Sequence, residues 1–436
     1  MIARVLRICH LGKYYPPAPG GVETHVRTLA QAQAALGLNV RVICVHHAWE
    51  RKVQRLGITL GGSHASEEHD NDVQVSRLSR TFSAAGFDVC PQLPDVLGRL
   101  EQSGVDLLHL HTPNPSMLLP LATLCRSIPV VITHHSDVIR QKLLQYAVLP
   151  FERLVYGRAA RILSDSPPYA AGSATLQRYA GKLESLPLGL DLETFLQPAP
   201  AAEAHAARLR QQHGSPLWLC VGRLVYYKGL QHALAALQKV PGKLLIIGTG
   251  PLLGTLRQQA EALGVADRVI WHGHASAVEL TGAYLAATAF WFPSNARSEG
   301  FGLVQVEAMA SGCPVINTSI PASGVPWVSP HDVSGLTVAM NSPHELAAAA
   351  LRLLQEPGLR DRLASAARLR AIREFDARAM GLRSLEIYRR VLADGLPRYS
   401  QPPRRAAGEA ADLPRQTLAT AGILSPADED LTSSLV

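Results

Sequence analysis

Strand-like and helix-like segments alternate along most of this 436-residue chain, and this alternation restricts its fold more than any other feature. The first unit comprises an apolar strand at residues 2–10, helical apolar spacing from Val22 to Leu36, and another apolar strand at residues 40–45. A strand, a helix and a strand in this order form a parallel βαβ unit. Further strands are predicted at residues 106–111, 129–135, 161–166 and 183–189. The N-terminal half is therefore predicted to fold as a doubly wound sheet.

The same alternation begins again after residues 197–214, a segment rich in Ala, Pro and His that we expect to join two domains. The second set of strands is predicted at residues 217–222, 243–248, 269–273, 289–293 and 314–317. We therefore predict an α/β chain with two doubly wound Rossmann-like domains, residues 1–195 and 196–375. A last helix, residues 376–393, is expected to pack back on the N-terminal domain.

The composition narrows the class of protein. Apolar residues make up 47% and charged residues 18%, which indicates a globular chain. The six cysteines lie far apart without a C-x-x-C pair, which argues against a disulfide framework and a structural zinc site and favours the cytoplasm. The net charge of +7 suits an anionic partner: a nucleotide, a phospholipid surface or a nucleic acid. Residues 396–436 contain five prolines and are predicted to be a disordered tail.

Two glycine-containing turns follow predicted strands and suit phosphate binding. Gly20-Gly21 precedes the first helix, where glycines let the backbone approach a phosphate and the helix N-terminus offers free N–H groups. Arg223 and Lys228 follow a strand of the second domain, and two cations there suit a diphosphate. The alternatives are an ordinary turn for the first motif and a solvated basic loop for the second. The first motif is not the G-x-G-x-x-G fingerprint, which argues against a dehydrogenase.

A pair of glutamates gives the most specific signal. Glu299 lies in a glycine-rich turn, and Glu307 lies two turns into the helix that follows, on its apolar side. A carboxylate in apolar surroundings needs a partner, so burial without a function is disfavoured. The turn also offers backbone N–H groups at a helix N-terminus, which is a second phosphate site.

In order and spacing these motifs, together with His134-His135-Ser136 and residues 308–315, resemble the retaining glycosyltransferases of the GT-B fold, family 4 above all. The resemblance extends over residues 4–392. It implies two Rossmann-like domains facing a central cleft, and transfer of a hexosyl group (EC 2.4.1-type) from a nucleotide-diphosphate sugar to a glycan or lipid-linked acceptor, with no nucleic acid as partner. Residues 321–327 resemble a rhamnosyl/mannosyltransferase subgroup, which favours GDP-mannose or a related GDP-sugar.

The resemblance also implies roles for individual residues. The catalytic residues are expected to be His135, near the anomeric centre, Arg223 and Lys228, which neutralise the leaving diphosphate, and Glu299, beside the transferred sugar. Glu307 is expected to bond the nucleotide ribose. The other donor-binding residues are expected to be Gly20 and Gly21 at the diphosphate, Phe301, Gly302 and Leu303 at the sugar or phosphate, and Gly248, Gly250, His272, Gly273 and His274 at the nucleobase.

No cofactor and no metal is expected, because Arg223 and Lys228 supply the electrostatic role of a metal ion. Asp70-Asn71-Asp72 fits the D-x-D pattern by letters alone and is interpreted as part of a solvated polar loop. His109 and His111, which end a strand, are interpreted as hydrogen-bonding groups in the cleft. No H-E-x-x-H pattern indicates a metal site.

Two other functions stay open at this point. A sugar-nucleotide 2-epimerase shares the two-domain architecture but needs no acceptor. A catalytically silent binding subunit of a polysaccharide assembly complex is the second alternative, and the intact Arg223, Lys228, Glu299 and Glu307 argue against it.

A basic segment raises the question of membrane contact. Residues 138–163 contain five cations, among them Arg140 and Lys142, with one acid and several apolar and aromatic side chains. Such a segment can lie at an anionic bilayer surface. Related enzymes often extend lipid-linked glycans at the cytoplasmic face, which favours this hypothesis. The alternative is that the apolar residues pack on the first sheet and the charges are merely solvated.

Overall fold

The computed structural model describes residues 4–49, 51–55, 58–84, 86–137 and 142–395. It confirms an α/β architecture of two domains, each built on a parallel sheet. The strands are β1 (Arg7–Leu11), β2 (Asn39–Val45), β3 (Arg51–Arg55), β4 (Ile58–Gly62), β5 (Ser66–Asp70), β6 (Val73–Leu78), β7 (Phe82–Ala84), β8 (Phe87–Val89), β9 (Leu107–Thr112), β10 (Val130–His134), β11 (Arg161–Ser164), β12 (Leu183–Ser185), β13 (Leu217–Val221), β14 (Lys243–Ile247), β15 (Val269–Gly273), β16 (Ala289–Phe292), β17 (Val315–Thr318) and β18 (Gly335–Val338). The helices are α1 (Gly21–Ala35), α2 (Leu93–Leu100), α3 (Pro115–Leu121), α4 (Lys142–Arg158), α5 (Pro167–Gly172), α6 (Ala174–Gln177), α7 (Glu193–Leu196), α8 (Pro200–His213), α9 (Leu230–Leu237), α10 (Leu253–Ala262), α11 (Ala277–Ala286), α12 (Leu303–Ala310), α13 (Val325–Val328), α14 (Pro343–Gln355), α15 (Leu359–Glu374) and α16 (Ala377–Asp394).

The N-terminal domain contains an eight-stranded sheet in the order β12-β11-β10-β9-β1-β2-β6-β5. Its neighbouring strands are parallel except for β5, which pairs with β6 in the antiparallel direction. All six residues of β9 and all five of β10 are buried, as expected for parallel strands with helices on both faces of the sheet. The order of the strands reverses between β1 and β9.

Residues 51–89 contain a feature that the sequence pattern did not reveal. The strands β3, β4, β7 and β8 form a small antiparallel sheet. Val53, Ile58 and Leu60 are exposed in it, so the apolar side chains of this segment do not mark a buried face. An alternation of buried and exposed residues is the usual signal of such strands, and it is missing here.

The C-terminal domain contains a six-stranded parallel sheet in the order β15-β14-β13-β16-β17-β18. Trp218 and Trp291, on adjacent strands, stack with ring centroids 5.0 Å apart on one face, and Leu219 and Phe290 belong to the core on the other face. The order of the strands reverses between β13 and β16. Ligands of open α/β sheets bind beyond the carboxyl ends of the strands at such a reversal.

The last helix, α16, packs against the N-terminal domain. Its first turn is capped by Asp376, whose carboxylate accepts from the N–H of Arg378 at 2.8 Å. Met380 and Tyr388 are buried in the N-terminal core. Gly381 lies so close to α1 that an added Cβ would be 3.1 Å from the Cβ of Ala32. The chain therefore crosses between the domains twice, after β12 and before α16.

Of two further predicted segments, the structure describes residues 197–214 but not residues 396–436. Most of residues 197–214, expected to join the domains, form α8, whose Ala206 and Leu209 are buried in the C-terminal core. This segment is therefore part of the second domain. The predicted disordered tail, residues 396–436, lies outside the described residues. Within the described ranges, no helix is both long enough and apolar enough to cross a membrane.

Candidate active site

Loops at the carboxyl ends of the two sheets meet in the structure. Asp137, after β10, forms a 3.2 Å ion pair with Arg297, after β16. The Arg297 guanidinium also lies 4.8 Å over the centroid of the Tyr169 ring. A Cβ added to Gly324 would lie 2.7 Å from Ser166 Oγ, so the two domains are in direct contact here. The binding edges of both sheets therefore face one cleft.

Lys228 and Glu299 form an ion pair on the C-terminal side of this cleft. Lys228 Nζ lies 2.5 Å from Glu299 Oε2, and the two side chains are only 14% and 13% exposed. Lys228 follows β13 and Glu299 follows β16, the two strands between which the strand order reverses. A charge pair with so little exposure leaves an uncompensated charge if one partner is removed. An incoming anion can instead replace Glu299 as the partner of Lys228.

Arg223 lies in the same pocket as Lys228, together with Gly222 and Ser294. Its side chain is exposed and donates to the phenol oxygen of Tyr227 at 3.2 Å. Because a guanidinium has five N–H groups, this single bond to a neutral group leaves donors for an anion. The structure therefore brings the two predicted cations to one pocket.

The loops after β13 and β14 approach each other through their backbones. Gly248 has a φ of +138°, and a Cβ at this position would overlap the carbonyl oxygen of Gly222. A Cβ at Gly250 would lie 2.6 Å from the carbonyl oxygen of Leu224. The N–H of Gly248 donates to the carbonyl oxygen of Gly273 at 2.7 Å. Because glycine has no Cβ, the loops after these three neighbouring strands can pack closely together at this edge of the sheet.

His272 and His274 continue this edge at the end of β15. His272 is partly buried, and its ring centroid lies 6.4 Å from that of His205. Its Nδ1 is buried without a hydrogen-bond partner among the described residues. His274 is exposed. The predicted nucleobase residues thus lie along one edge of the C-terminal sheet.

The turn that carries Glu299 is held in place by specific contacts. Ser323 Oγ donates to the carbonyl oxygen of Glu299 at 2.6 Å. Gly302, with a φ of +77°, immediately precedes α12, and a Cβ there would lie 2.7 Å from the Phe292 ring. A residue with a side chain would therefore displace the turn. The Glu299 side chain is positioned by a rigid backbone.

Two buried side-chain amides hold the start of α12 in place by hydrogen bonds. Gln305 is fully buried and donates to the carbonyl oxygen of Phe301 at 3.0 Å. Asn317, on β17, donates to Gln305 Oε1 at 3.0 Å. Phe301 is itself buried and lies 5.5 Å from the Phe375 ring, whereas Leu303, the first residue of α12, is partly exposed.

Glu307 has a specific partner. Tyr284, buried on α11, donates to Glu307 Oε2 at 2.8 Å. Burial raises the pKa of Glu307 to about 7, against the lowering effect of the Tyr284 hydrogen bond. The carboxyl group is therefore partly protonated near neutral pH. Any further hydrogen-bond donor would favour its ionised form.

The Gly20-Gly21 turn lies at the start of α1. Thr24 Oγ1 donates to the carbonyl oxygen of Gly20 at 2.9 Å, and a Cβ at Gly20 would overlap the Glu23 carboxylate. Both glycines are exposed. No hydrogen bond or ion pair of the described residues joins this turn to Lys228, so the structure does not bring the two predicted diphosphate motifs into contact.

His135 ends a hydrogen-bonded chain of histidines. Its Nε2 lies 3.1 Å from His111 Nδ1, and His111 Nε2 lies 3.0 Å from His10 Nδ1. His10 Nε2 lies 2.8 Å from Gln33 Oε1. His10, His111 and Gln33 are buried, while His135 is partly exposed at the end of the chain.

The hydrogen bonds at the buried end of this row of histidines determine which nitrogen of each ring carries the proton. Ser384 Oγ donates its own proton to a backbone carbonyl, so it accepts from Gln33 Nε2 at 2.9 Å. Gln33 Oε1 then faces His10, which must carry its proton on Nε2. His10 Nδ1 is then an acceptor, so His111 donates to it from Nε2. In the same way His111 Nδ1 accepts from His135 Nε2. His135 is left with Nδ1 as its free acceptor.

The histidines of this region are neutral at pH 7. Burial lowers the pKa of His10 to about 4 and that of His25 to about 3. Burial is also the main reason why the pKa values of His109, His111 and His135 lie well below the usual value. His109 was expected in the cleft, but it is fully buried between Tyr388 and Thr133, at 2.5 and 2.7 Å.

Comparisons with known proteins were made against family models, curated proteins and solved structures. A family model described as Glycosyltransferase Family 4 matches residues 19–194, and one described as Glycosyl transferases group 1 matches residues 202–370. D-rhamnosyltransferase WbpZ of Pseudomonas aeruginosa is 29% identical over 341 residues, 78% of this chain and 84% of that protein. O-antigen chain mannosyltransferase C of Escherichia coli is 27% identical over 345 residues, 78% of this chain and 86% of that protein.

Another relative and two solved structures agree with these matches. The GDP-mannose-dependent alpha-(1-6)-phosphatidylinositol monomannoside mannosyltransferase of Mycolicibacterium smegmatis is 29% identical over 393 residues, 86% of this chain and 96% of that protein. Sucrose-phosphate synthase from Thermosynechococcus elongatus has the same fold, with a TM-score of 0.67 at 23% identity over 89% of this chain and all of that chain. Anabaena HepE, solved with UDP, has a TM-score of 0.67 at 19% identity over 88% of this chain and all of that chain.

The two family models together account for both domains, and the curated relatives are transferases. The chain belongs to the family 4-like glycosyltransferases. The predicted GT-B fold and the predicted class of enzyme are therefore confirmed.

Some residues at the cleft of this glycosyltransferase had no sequence signal. Tyr284 precedes its partner Glu307 by 23 positions and lies on another helix. Asp137 and Arg297 come from different domains. Burial alone would raise the pKa of Asp137. Hydrogen bonds from His134 and from a serine, together with the charge of Arg297, outweigh burial and lower this pKa to about 2. Only the folded chain brings these side chains together.

The interpretation of Asp70 as part of a solvated loop was wrong. Asp70 ends β5 and pairs with Arg27 on α1 at 2.7 Å. It also accepts from the phenol of Tyr15 at 2.8 Å and from Gln31 Nε2 at 3.0 Å. Arg27, Tyr15 and Gln31 already occupy its oxygens, so in this glycosyltransferase Asp70 fastens α1 to the edge of the sheet and does not form a D-x-D site.

The basic segment 138–163 is only partly described. Arg140 lies outside the described residues, and the side chain of Lys142 is not described either. Arg158 donates to the carbonyl oxygen of Leu124 at 3.0 Å, and Arg161 pairs with Glu184 at 2.8 Å. These two cations are therefore engaged within the protein, and the membrane hypothesis depends on the remaining ones.

Proposed function

We propose that this glycosyltransferase moves a hexosyl group, mannose or a related sugar, from a nucleoside diphosphate sugar to a glycan or lipid-linked acceptor, with retention of anomeric configuration. The observation that carries the proposal is the pocket that contains Arg223 and Lys228 at the reversal of strand order, with Glu299 2.5 Å from Lys228. Cations fixed at this place are suited to a leaving diphosphate.

The bond that breaks joins the anomeric carbon to a diphosphate oxygen. Positive charge then develops on the sugar ring and negative charge on the leaving group. Lys228 is already placed in the pocket by Glu299, and the exposed Arg223 is free to turn toward the diphosphate. When the diphosphate engages Lys228, the Glu299 carboxylate is released to the side of the sugar. The departing phosphate then accepts the proton of the acceptor hydroxyl on the same face, which gives retention.

His135 contributes a neutral hydrogen-bonding group in this scheme. Its Nε2–H is engaged by His111, so its free Nδ1 can accept a hydrogen bond from a sugar hydroxyl near the anomeric centre. Two cations replace a metal ion at the diphosphate, and the proposed transfer requires no metal and no cofactor.

The activities for which the relatives are named guide the choice of substrates. One relative is a D-rhamnosyltransferase, one an O-antigen chain mannosyltransferase, and one uses GDP-mannose and a phosphatidylinositol monomannoside. They support a GDP-sugar donor and a glycan or lipid-linked acceptor for this chain. The proposal includes a peripheral contact with an anionic membrane at the cytoplasmic face, for which Arg153 and Leu154 offer exposed side chains on α4.

A donor screen tests the proposal. Thermal unfolding is measured with UDP-, GDP-, ADP- and dTDP-sugars, because a ligand that binds only the folded state raises the melting temperature by mass action. We expect a GDP-sugar, GDP-mannose first, to give the largest increase. Release of nucleoside diphosphate is then followed with and without candidate acceptors. Release that needs an acceptor supports transfer, whereas conversion of the donor without one indicates an epimerase, and binding without either reaction indicates a silent subunit.

The pKa of Glu307 gives a prediction for nucleotide binding. If its carboxylate accepts hydrogen bonds from the ribose, the affinity for the nucleoside diphosphate should fall as the pH drops below about 7, by up to roughly tenfold per unit, because protonation removes the acceptor. Glu307→Gln should bind more weakly at pH 8 and lose this pH dependence. Tyr284→Phe removes the hydrogen bond that lowers the pKa, so the midpoint should shift upward. Calorimetric titration from pH 5.5 to 8.5 measures it, and an unchanged profile in Glu307→Gln would exclude the ribose contact.

A further inference from the structure

We propose that His25, His111 and His135 bind one divalent transition-metal ion, such as Zn²⁺, at the N-terminal side of the cleft. One ring nitrogen of each of the three histidines lies within 4.8 Å of the others. The inference does not depend on the donor or the acceptor of the proposed transfer. The ion takes no part in that reaction, but it changes the free nitrogen of His135 at the cleft from an acceptor to a donor.

His25 is the observation that points to a ligand. It lies on α1, only 2% exposed, and neither of its ring nitrogens has a hydrogen-bond partner among the described residues. A buried imidazole without any partner is costly, because its N–H and its lone pair have both lost water. Its ring lies edge-on to His135, with centroids 4.9 Å apart, and 5.7 Å from His111. A metal ion between these rings would give His25 its missing partner.

The spacing of the other two histidines fits metal coordination. His111 Nδ1 and His135 Nε2 are 3.1 Å apart. Zinc–nitrogen bonds of about 2.0–2.1 Å place two ligand nitrogens of a tetrahedral site about 3.3 Å apart. The ion would take the place of the proton that His135 now donates to His111. His135 then carries its proton on Nδ1, and each ring offers one nitrogen lone pair, so no proton is gained or lost.

The surroundings supply what a metal site needs. The donor set of three imidazoles suits Zn²⁺, Co²⁺, Ni²⁺ or Cu²⁺. The Nε2–H of His111 is held by His10, and His10 by Gln33, which fixes the tautomer in which Nδ1 of His111 is the ligand atom. His135 is partly exposed, which gives the ion an entry path from the cleft.

A second group of histidines provides the contrast. His10, His109 and His111 also lie within 4.8 Å of one another. Both nitrogens of His10 are engaged by His111 and Gln33, and both nitrogens of His109 by Tyr388 and Thr133. His10 and His109 are therefore already satisfied, so this group lacks an unpartnered ring like that of His25, which is the feature that points to a ligand.

The test uses the full chain, freed of metal with a chelator and dialysed, and titrated with Zn²⁺ by calorimetry at pH 7.5. We expect one tight site per chain in the wild type. His25→Gln should fold, since His25 makes no hydrogen bond that the variant would lose, and should weaken the site at least about 100-fold, because even the loss of a group behind a ligand costs roughly 10- to 100-fold. The matched control, His274→Gln, removes an exposed histidine and should bind like the wild type.

One further measurement makes the result specific. Zn²⁺ should raise the melting temperature of the wild type and of His274→Gln but not that of His25→Gln, because the ion ties α1 to the ends of β9 and β10. Absence of a stoichiometric site in the wild type, or unchanged binding by His25→Gln, would overturn the proposal.

Discussion

Glu299→Gln should lower the rate of glycosyl transfer at least about 100-fold while leaving the affinity for nucleoside diphosphate unchanged or increased. The loss of one preorganised electrostatic group at a reacting centre typically costs roughly 100- to 1,000-fold in rate. The affinity should not fall, because Glu299 lies 2.5 Å from Lys228 and competes with the diphosphate for it. Glutamine has nearly the same shape but no charge, so Lys228 becomes fully available to the leaving group.

Steady-state rates and calorimetric titration of the nucleotide measure the two effects separately. Glu386→Gln is the matched control, because Glu386 is 72% exposed on α16 and pairs with Arg390, four residues along the helix. This control should keep both the rate and the affinity of the wild type. If Glu299→Gln turned over substrate at a normal rate, Glu299 would have no part in the chemistry. If its nucleotide affinity fell with its melting temperature, its role would be to hold Lys228 in place.

Acid should destabilise the folded protein strongly between pH 7 and pH 5. His10, His25, His109 and His111 are buried and neutral, and burial lowers their pKa values in the folded state, to about 4 for His10 and about 3 for His25. In the unfolded chain a histidine titrates near 6.5. Below that pH the unfolded chain binds more protons, so the stability that these histidines contribute above pH 6.5 is lost as the pH falls. Below pH 6.5 each of these histidines lowers the free energy of unfolding by about 1.4 kcal/mol per pH unit.

Two buried carboxyl groups act in the opposite direction. Burial raises the pKa values of Asp165 and Glu307 to about 7, so the folded protein binds protons there at a pH at which an unfolded carboxyl group is still ionised. The four histidines outnumber the two carboxyl groups, so acidification from pH 7 to pH 5 lowers the free energy of unfolding overall.

Urea unfolding at a series of pH values, with a chelator present, checks this prediction. His25→Leu removes one buried titrating group and should flatten the dependence of the free energy of unfolding on pH by up to one proton. His274→Gln, which removes an exposed histidine, is the matched control. A free energy of unfolding that stays constant or rises on acidification would contradict the neutral, buried state of the cluster.

The parallel cores of both domains could be predicted from the sequence, because buried parallel strands form short apolar runs that β14 and β17 show clearly. The small antiparallel sheet of residues 51–89 could not, since Val53 and Leu60 are apolar but exposed. Residues 197–214 were expected to join the domains because they are rich in Ala and His. The segment nevertheless forms a helix that packs closely on α11, where a Cβ added to Gly282 would lie 2.8 Å from the carbonyl oxygen of Ala202, and that depends on tertiary contact.

Some residues of the candidate site could likewise be predicted from the sequence, and others could not. Arg223, Lys228 and Glu299 could be found from the sequence because they lie in loops directly after strands that the structure places side by side. The histidine chain could not be predicted, because His10, His111 and His135 come from three strands whose order is set by the fold. Neither could the partner of Glu307, which is a tyrosine on a different helix. Side-chain pairs between distant elements leave no periodic trace in a sequence.

The proposed role of Arg223 and Lys228 in holding the leaving diphosphate is tested most directly by comparing three ligands on the wild type and its variants. The nucleoside diphosphate selected by the donor screen, its monophosphate and its nucleoside are titrated into the wild type, Lys228→Ala and the double variant Lys228→Ala with Glu299→Gln. Lys239→Ala, which removes an exposed lysine after α9, serves as the control. The double variant separates the loss of the cation from repulsion by a Glu299 carboxylate that has lost its partner.

We expect Lys228→Ala to weaken diphosphate binding by roughly 10- to 100-fold, since a charge-assisted hydrogen bond contributes about 1.5–3 kcal/mol. Binding of the nucleoside should be unchanged, that of the monophosphate should change less than that of the diphosphate, and the loss should persist in the double variant. Equal losses for the monophosphate and the diphosphate, or full recovery in the double variant, would show that Lys228 does not hold the diphosphate.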